Sequence, residues 1–451
     1  MAIAKTCSAD KYRRASGLTI AVIVATVALH VAVPKSGIME GKVPLTIADL
    51  LFGVALALGL IAFAKAALPD RRLKRCAVAV VLGCAFFALR IIAFPLVFGR
   101  PLNSADVGFL VALAVYPLIF PLIAAFVPPA RAPSLYRVLA ISIAIVLAYG
   151  MVQKAFGPYK VVIRGVTANW TEARGGSHFL AAKDNVISST GSLKLTSTYS
   201  NGNLLGVNLL LLLPCGIAAA KRWWLRVPLL AAGVWALLLT GSRSAWVGAM
   251  FMLVIVLIPT PRSLLPKLAA ALALWFALGF FLFHTSLGRE RVTRMSPANV
   301  ESWGGRLEPA LILWRGATQG SSIGSVLLGP YGRTRQAIRA SGGGAYEIFY
   351  AALFQEGGLL GLLIWLTPIW LSFREFWPRR KDPYIRAVML GLIAWMCAAV
   401  ADGGFWLPPT AFIFWCVLAL GWLRAGALNR ERQPHRLEHA QLLTRAGASV
   451  G

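Results

Sequence analysis

Acidic residues are scarce in this chain: 17 Asp and Glu stand against 45 Lys and Arg, a formal net charge of +28. Charged residues of every kind make up only 14% of the 451 positions, where soluble domains carry about a quarter. That is too few to clothe a water-soluble globule of this size. The six cysteines (Cys7, Cys76, Cys84, Cys215, Cys397 and Cys416) include no CxxC spacing, so neither a disulfide framework nor a zinc site is supported. There is no His-rich motif and no DxD triplet, so no metal and no cofactor are expected. The basic residues are scattered and not gathered into one domain, which argues against a nucleic-acid partner. No internal or inverted repeat is visible, which lowers the case for a common transporter fold.

What the chain has instead is apolar length. It is 58% hydrophobic, its mean hydropathy is +0.69, and many runs approach the roughly 20 residues that cross a bilayer. The expected fold is all-α: a polytopic membrane protein of about 12 helices with two long outside loops. The expected spans are 18–34, 45–66, 76–97, 105–127, 135–153, 203–220, 227–240, 244–259, 266–284, 347–371, 386–401 and 408–424. The first run, Leu18 to Pro34, lacks a clear small-residue cleavage site and reads as a span. Every loop assigned inside carries Lys or Arg, most densely in Asp70-Arg-Arg-Leu-Lys-Arg75, so both termini are expected inside. The chain then divides into helices 1–5 (1–153), a first long loop (154–202), helices 6–9 (203–284), a second long loop (285–345), helices 10–12 (346–427) and a polar, basic, mobile tail (428–451).

The outer loops are basic. The first holds Lys154, Lys160, Arg164, Arg174, Lys183 and Lys194; the second holds Arg289, Arg291, Arg294, Arg306, Arg315, Arg333, Arg335 and Arg339 and no lysine. A planar guanidinium fork suits phosphate oxygens better than an ammonium does. Such loops form either a solvated basic surface near headgroups or a site for an anionic, lipid-linked substrate. Three helices also begin at that outer end with polar motifs: Thr196-Ser-Thr-Tyr199-Ser-Asn201-Gly-Asn203, Thr240-Gly-Ser242-Arg243-Ser244 and Tyr346-Glu347. Each is ordinary N-capping by itself. Together they aim three sets of free N–H groups at one face, where an anion binds well. Arg306 opens a short amphipathic run with Leu307, Ala310, Leu311 and Trp314. Arg90, Asp49, Asp106 and Asp402 lie in or at spans and are expected to pair or snorkel.

With these residues assembled, the chain resembles the O-antigen ligase and polymerase superfamily, the Wzy/WaaL-like membrane glycosyltransferases. The likeness covers roughly residues 196–372 and lies in the order of motifs relative to the spans. Asn201-Gly-Asn203-Leu-Leu-Gly206 looks like the family's Asn-rich helix entry, and Ser242-Arg243-Ser-Ala-Trp-Val-Gly248 like its Ser-Arg element. Gly305-Arg306, Trp314 and Leu328-Gly329-Pro-Tyr-Gly332 look like its Gly-Arg, Trp and Gly-x-x-Gly sequence, and Glu356-Gly-Gly-Leu-Leu-Gly361 like its Glu-x-Gly-Leu-x-Gly. The family's ligases carry a His-Asn pair nine residues before the matching glutamate, and this chain has Glu347-Ile348 there. That departure tilts the reading toward a repeat-unit polymerase.

The resemblance implies transfer of a glycan from a polyprenyl-diphosphate donor at the periplasmic face of the inner membrane. Glu347 is the expected base, with Arg243 and Arg306 as a diphosphate clamp that needs no metal. Tyr199, Asn201, Asn203, Ser242, Tyr346, Arg164 and His178 are expected near substrate, His178 doubling as the alternative base. The expected partners are the lipid-linked oligosaccharide, membrane lipid, a flippase and a chain-length regulator. Three rivals stand beside this reading: a ligase moving glycan onto lipid A core, a non-catalytic transporter of the lipid-linked unit, and a structural subunit of an export complex.

Overall fold

The computed structural model describes residues 17–40, 43–63, 70–97, 99, 102, 104–158, 160–168, 193–257, 323–329, 348–400 and 409–448. The chain is an all-α polytopic membrane protein. Among the described residues, seven helices are long and apolar enough to cross a membrane and four more are apolar but shorter. They fall on every expected span except 266–284, which lies outside the described residues.

Helix α1 (Gly17–Ala32) is followed by a two-stranded antiparallel hairpin, β1 (Gly37–Glu40) and β2 (Val43–Thr46), which leads straight into α2 (Ile47–Phe63). The hairpin occupies what the hydropathy pattern treats as a short loop. Helix α3 (Arg71–Val97) begins earlier than its apolar run, because Asp70 Oδ1 accepts the Arg72 N–H (2.8 Å) and caps the basic first turn. The fourth span is not one regular helix. It runs α4 (Ser104–Leu110), a π turn (Val111–Val115), a 3-10 turn (Tyr116–Leu118) and α5 (Ile119–Phe126). Pro117 has no N–H to give to the preceding turn, so the hydrogen-bond ladder shifts register there.

Next come α6 (Ala132–Phe156), α7 (Gly202–Ala219), α8 (Trp223–Thr240), α9 (Arg243–Leu257), the short α10 (Ile323–Leu328), α11 (Phe349–Phe376), α12 (Pro383–Ala398) and α13 (Thr410–Ala448). The tail expected to be mobile continues α13 as one helix to Ala448; it is rich in Ala, Leu, Arg, Glu and Gln, which favour helix. Helices α7 and α13 are the interior of the bundle, with 78% and 83% of their apolar windows buried, whereas α8 buries only 22% and lines the outside. At the end where α11 leaves the bundle, Glu375 pairs with Arg72 (3.0 Å) and Arg379 (2.8 Å). Beside it Asp382 caps α12 and holds Arg424 (2.8 Å). The polar clusters described next lie toward the opposite end.

Candidate functional site

The segment leading into α7 is tied down residue by residue. Leu195 N–H donates to Leu239 O (3.0 Å). Gln153, at the end of α6, donates to Thr196 Oγ1 (3.1 Å) and accepts from Ser197 N (2.8 Å). Ser197 Oγ donates to Val146 O (2.6 Å), and its backbone sits at φ 51, a left-handed conformation that these bonds hold in place. Tyr199 is 1% exposed and donates its hydroxyl to Val31 O (3.0 Å), binding this approach to α1. Burial pushes its phenol pKa up, so it stays a donor.

Asn201 then caps α7, its Oδ1 accepting the Leu204 N–H at 2.8 Å. Gly206 lies against Ser242, Thr240 and Ala245 with no room for a side chain, which lets the starts of α7 and α9 touch. Ser242 caps α9: its Oγ accepts the Ala245 N–H (3.2 Å) and shares a hydrogen bond with Ser244 Oγ (3.0 Å). Ser242, Ser244 and Thr240 are all buried. Inside α7, Asn208 Nδ2 donates to Leu204 O and to Thr410 Oγ1 (both 2.9 Å), joining α7 to the first residue of α13.

Helix α12 sets the level of the third entry. Ala399, just past its end, accepts the Phe349 N–H that begins α11 (3.2 Å). Ala394, about five residues back, lies on Gly248, about five residues into α9; Gly391 lies on Leu210 and Leu211, about nine residues into α7. Helices α7, α9 and α11 therefore begin at one level to within about a turn, roughly 5 Å. Phe349 is locked there by Trp365 and Trp395, with ring centroids 4.9 and 5.4 Å away.

Two of the family-like motifs meet on the other side of α11. Gly329, which ends α10 at φ 84, crosses Gly358 of α11 at φ 63, and a Cβ on either would collide with backbone of the other. Only glycine fits both the conformation and the gap. Arg90 of α3 reaches across to this crossing, its Nε donating to Leu328 O (2.8 Å) and its Nη2 to Gly329 O (2.9 Å). Gln355 and Glu356, the residues before the α11 kink, are 0% exposed.

Of the expected site residues, Glu347, Arg306, Tyr346 and His178 lie outside the described residues; Arg243 opens α9, and nothing further of its side chain is described. Asn201 and Ser242 are helix caps, Asn203 is half-buried beside them, and Arg164 is exposed in the first loop. Tyr199, expected to line a sugar site, is buried instead, because its hydroxyl is committed to the α1 backbone.

Of the residues for which only pairing or snorkelling was expected, Arg90 and Asp49 have defined partners, Asp106 is buried, and Asp402 lies outside the described residues. Arg90 is 4% exposed and does not snorkel. Asp49 Oδ1 accepts from Tyr116 OH (2.7 Å) and contacts His30 Nε2 (3.2 Å), and its Oδ2 accepts from Thr46 Oγ1 (2.6 Å). His30 Nδ1 donates to Thr26 O (2.9 Å) while its ring stacks on Phe412 at 3.7 Å. His30, Asn208 and Gln153 escaped the sequence reading; the available signal was a polar or ionisable residue inside an apolar run.

No family model matches this chain. It is similar to an O-antigen ligase of Pseudomonas aeruginosa, with 27% identity over 191 residues. That match covers 41% of this chain and 43% of the relative, so the chain spans less than half the length of the protein it matches. The similarity supports the ligase and polymerase superfamily that the motifs resemble and does not separate one activity from the other. The chain is a polytopic all-α membrane protein related in sequence to an O-antigen ligase.

Proposed function

We propose that this chain is a bacterial inner-membrane glycosyltransferase that extends a polyprenyl-diphosphate-linked glycan at the outer face. The observation that carries the reading is the common level of the α7, α9 and α11 N-termini, with the hydroxyls of Ser242 and Ser244 buried at the α7–α9 contact. Three helix ends at one level supply N–H groups and positive dipole to the face where a diphosphate would gather charge.

In the reaction, a hydroxyl of the acceptor repeat unit attacks the anomeric carbon of the donor glycan. The new C–O bond forms as the bond to the diphosphate oxygen breaks, and polyprenyl diphosphate leaves. Glu347 takes the hydroxyl proton, and Arg243 and Arg306 stabilise the departing diphosphate. Asn201, Asn203, Ser242 and Tyr346 would surround the donor, with Arg164 and His178 contributing from the first loop. The flippase and the chain-length regulator supply and measure the same lipid-linked chain.

Ligation to lipid A core is the second reading, and the similarity to an O-antigen ligase fits it equally. The two part at the product. Lipid-linked glycan extracted from cells lacking this protein is incubated with the purified chain in proteoliposomes, with and without lipid A core. A ladder of longer polyprenyl-linked chains is the expected result. Glycan joined to lipid A core without a ladder reassigns the chain as a ligase, and no change in either lipid overturns both. Glu347→Gln is expected to lower turnover by about a hundredfold or more; near-normal turnover removes Glu347 as the base.

A further inference from the structure

The crossing of α10 and α11 lies within the bundle, short of the helix ends. Arg90 is about 10 Å short of the end of α3, and Gly358 is about 13 Å inside α11, at the usual rise per residue. The surfaces around it are apolar and outward-facing: Leu89 and Ile92 on α3, Leu359 and Leu363 on α11, and Ile323 and Leu327 on α10 itself. Helix α10 thus lies against the membrane-facing side of the bundle, although the sequence around it belongs to the second long loop.

A helix end at that depth has a problem. The last carbonyls of α10 have no next turn to accept from, and hydrocarbon offers no donor. Arg90 solves it for two of them with one planar group, Nε to Leu328 O and Nη2 to Gly329 O. A lysine reaches one carbonyl at a time from a flexible stem. The charge is itself buried, so it is held in place as firmly as it holds α10. On the far side, the Gly329–Gly358 backbone contact stops α10 from sliding along α11.

We propose that Arg90 is a positioning residue for the transfer reaction: its guanidinium fixes the point at which the second long loop dips into the membrane end of the bundle and docks on the α11 kink. The arginine touches no substrate. It acts by holding Leu328-Gly329 at a fixed depth against Phe354, Gln355 and Gly358 of α11, a constant anchor on the helix that follows Glu347 in sequence. The catalytic part rests on the glycosyl-transfer reading above; the anchor itself does not.

The test separates the two. Leu327→Cys is placed in a background whose native cysteines are first shown not to react with a membrane-impermeant maleimide, and the protein is reconstituted in vesicles. With Arg90 present the new thiol stays unlabelled; with Arg90→Gln it labels several times faster, and Arg90→Lys falls between. In parallel, turnover on the extracted lipid-linked glycan falls about tenfold or more in kcat for Arg90→Gln, with KM within about threefold. Partial recovery in Arg90→Lys marks a held geometry rather than a lost fold, and decides the matter should Arg90→Gln fail to elute as a single species. Equal labelling in all three proteins overturns the anchor. Faster labelling with unchanged kcat overturns the positioning role and leaves a purely structural clamp. If no protein, Arg90 included, turns the glycan over, the glycosyl-transfer reading falls while the labelling still decides the anchor.

Discussion

The α7–α9 entry and the α10–α11 crossing lie in the same bundle and are held in opposite ways. The entry uses many neutral bonds of similar strength: Asn201, Ser242, Ser244, Gln153, Ser197 and Tyr199 each contribute one or two. The crossing uses one charged donor and two glycines. Redundancy makes the entry tolerant, because each neutral bond contributes only about 1 kcal/mol net. At the crossing, a single buried guanidinium serves both Leu328 O and Gly329 O, so its loss is expected to cost more than the loss of one neutral bond. Between them stands the His30–Asp49 corner, with several bonds converging on one carboxylate.

This contrast orders the expected damage. Gly358→Ala is expected to be the most severe: the new Cβ meets the backbone of Leu327 and Gly329, and φ 63 is strained for alanine. A loss of about 4 kcal/mol or more, seen as failure to elute as a single species in mild detergent, is expected. A well-folded Gly358→Ala protein would show that the crossing is not a close contact.

Asp49→Ala comes next, at about 3 kcal/mol, because His30, Thr46 and Tyr116 all lose an acceptor or charge partner together. A denaturant titration in detergent, followed by tryptophan fluorescence, measures it. An additional Tyr116→Phe change on that background should add almost nothing, since the partner is already gone. Full additivity would dissolve the corner into independent bonds.

Asn201→Ala is expected to lower stability by about 1 kcal/mol, the ordinary loss of a helix cap. If Asn201 also faces the donor glycan, turnover falls by more than this small stability change explains, which the same preparation can show. Arg164→Ala, exposed in the first loop, should stay within about 0.5 kcal/mol in the same titration. Any larger loss would mean that the outer loop is braced as firmly as the entry.

Much of the frame was legible in the sequence. Apolar runs marked the helices, because a bilayer demands length and apolarity of each span separately. Caps were legible too: Asn201 at α7 and Ser242 at α9 act within three residues of their partners. Two features of the backbone were not. The π turn before Pro117 replaces what reads as an unbroken helix, and the hairpin after α1 replaces what reads as a loop. In both, hydropathy reports burial and is silent on hydrogen-bond register.

By itself, then, the sequence determined an all-α membrane bundle, the capped starts of α7 and α9, and a basic chain carrying motifs like those of a glycan-handling superfamily. Tertiary structure alone decided what the isolated polar residues do. Arg90 finds its carbonyls 238 and 239 residues away, Asn208 finds Thr410 at 202, and Asp49 finds Tyr116 at 67. An ionisable group inside a span must have a partner, and its own span shows only that need. Which partner meets it depends on which helices pack together and at what depth. Here small residues such as Gly206, Gly329 and Gly358 set that depth by letting backbones approach.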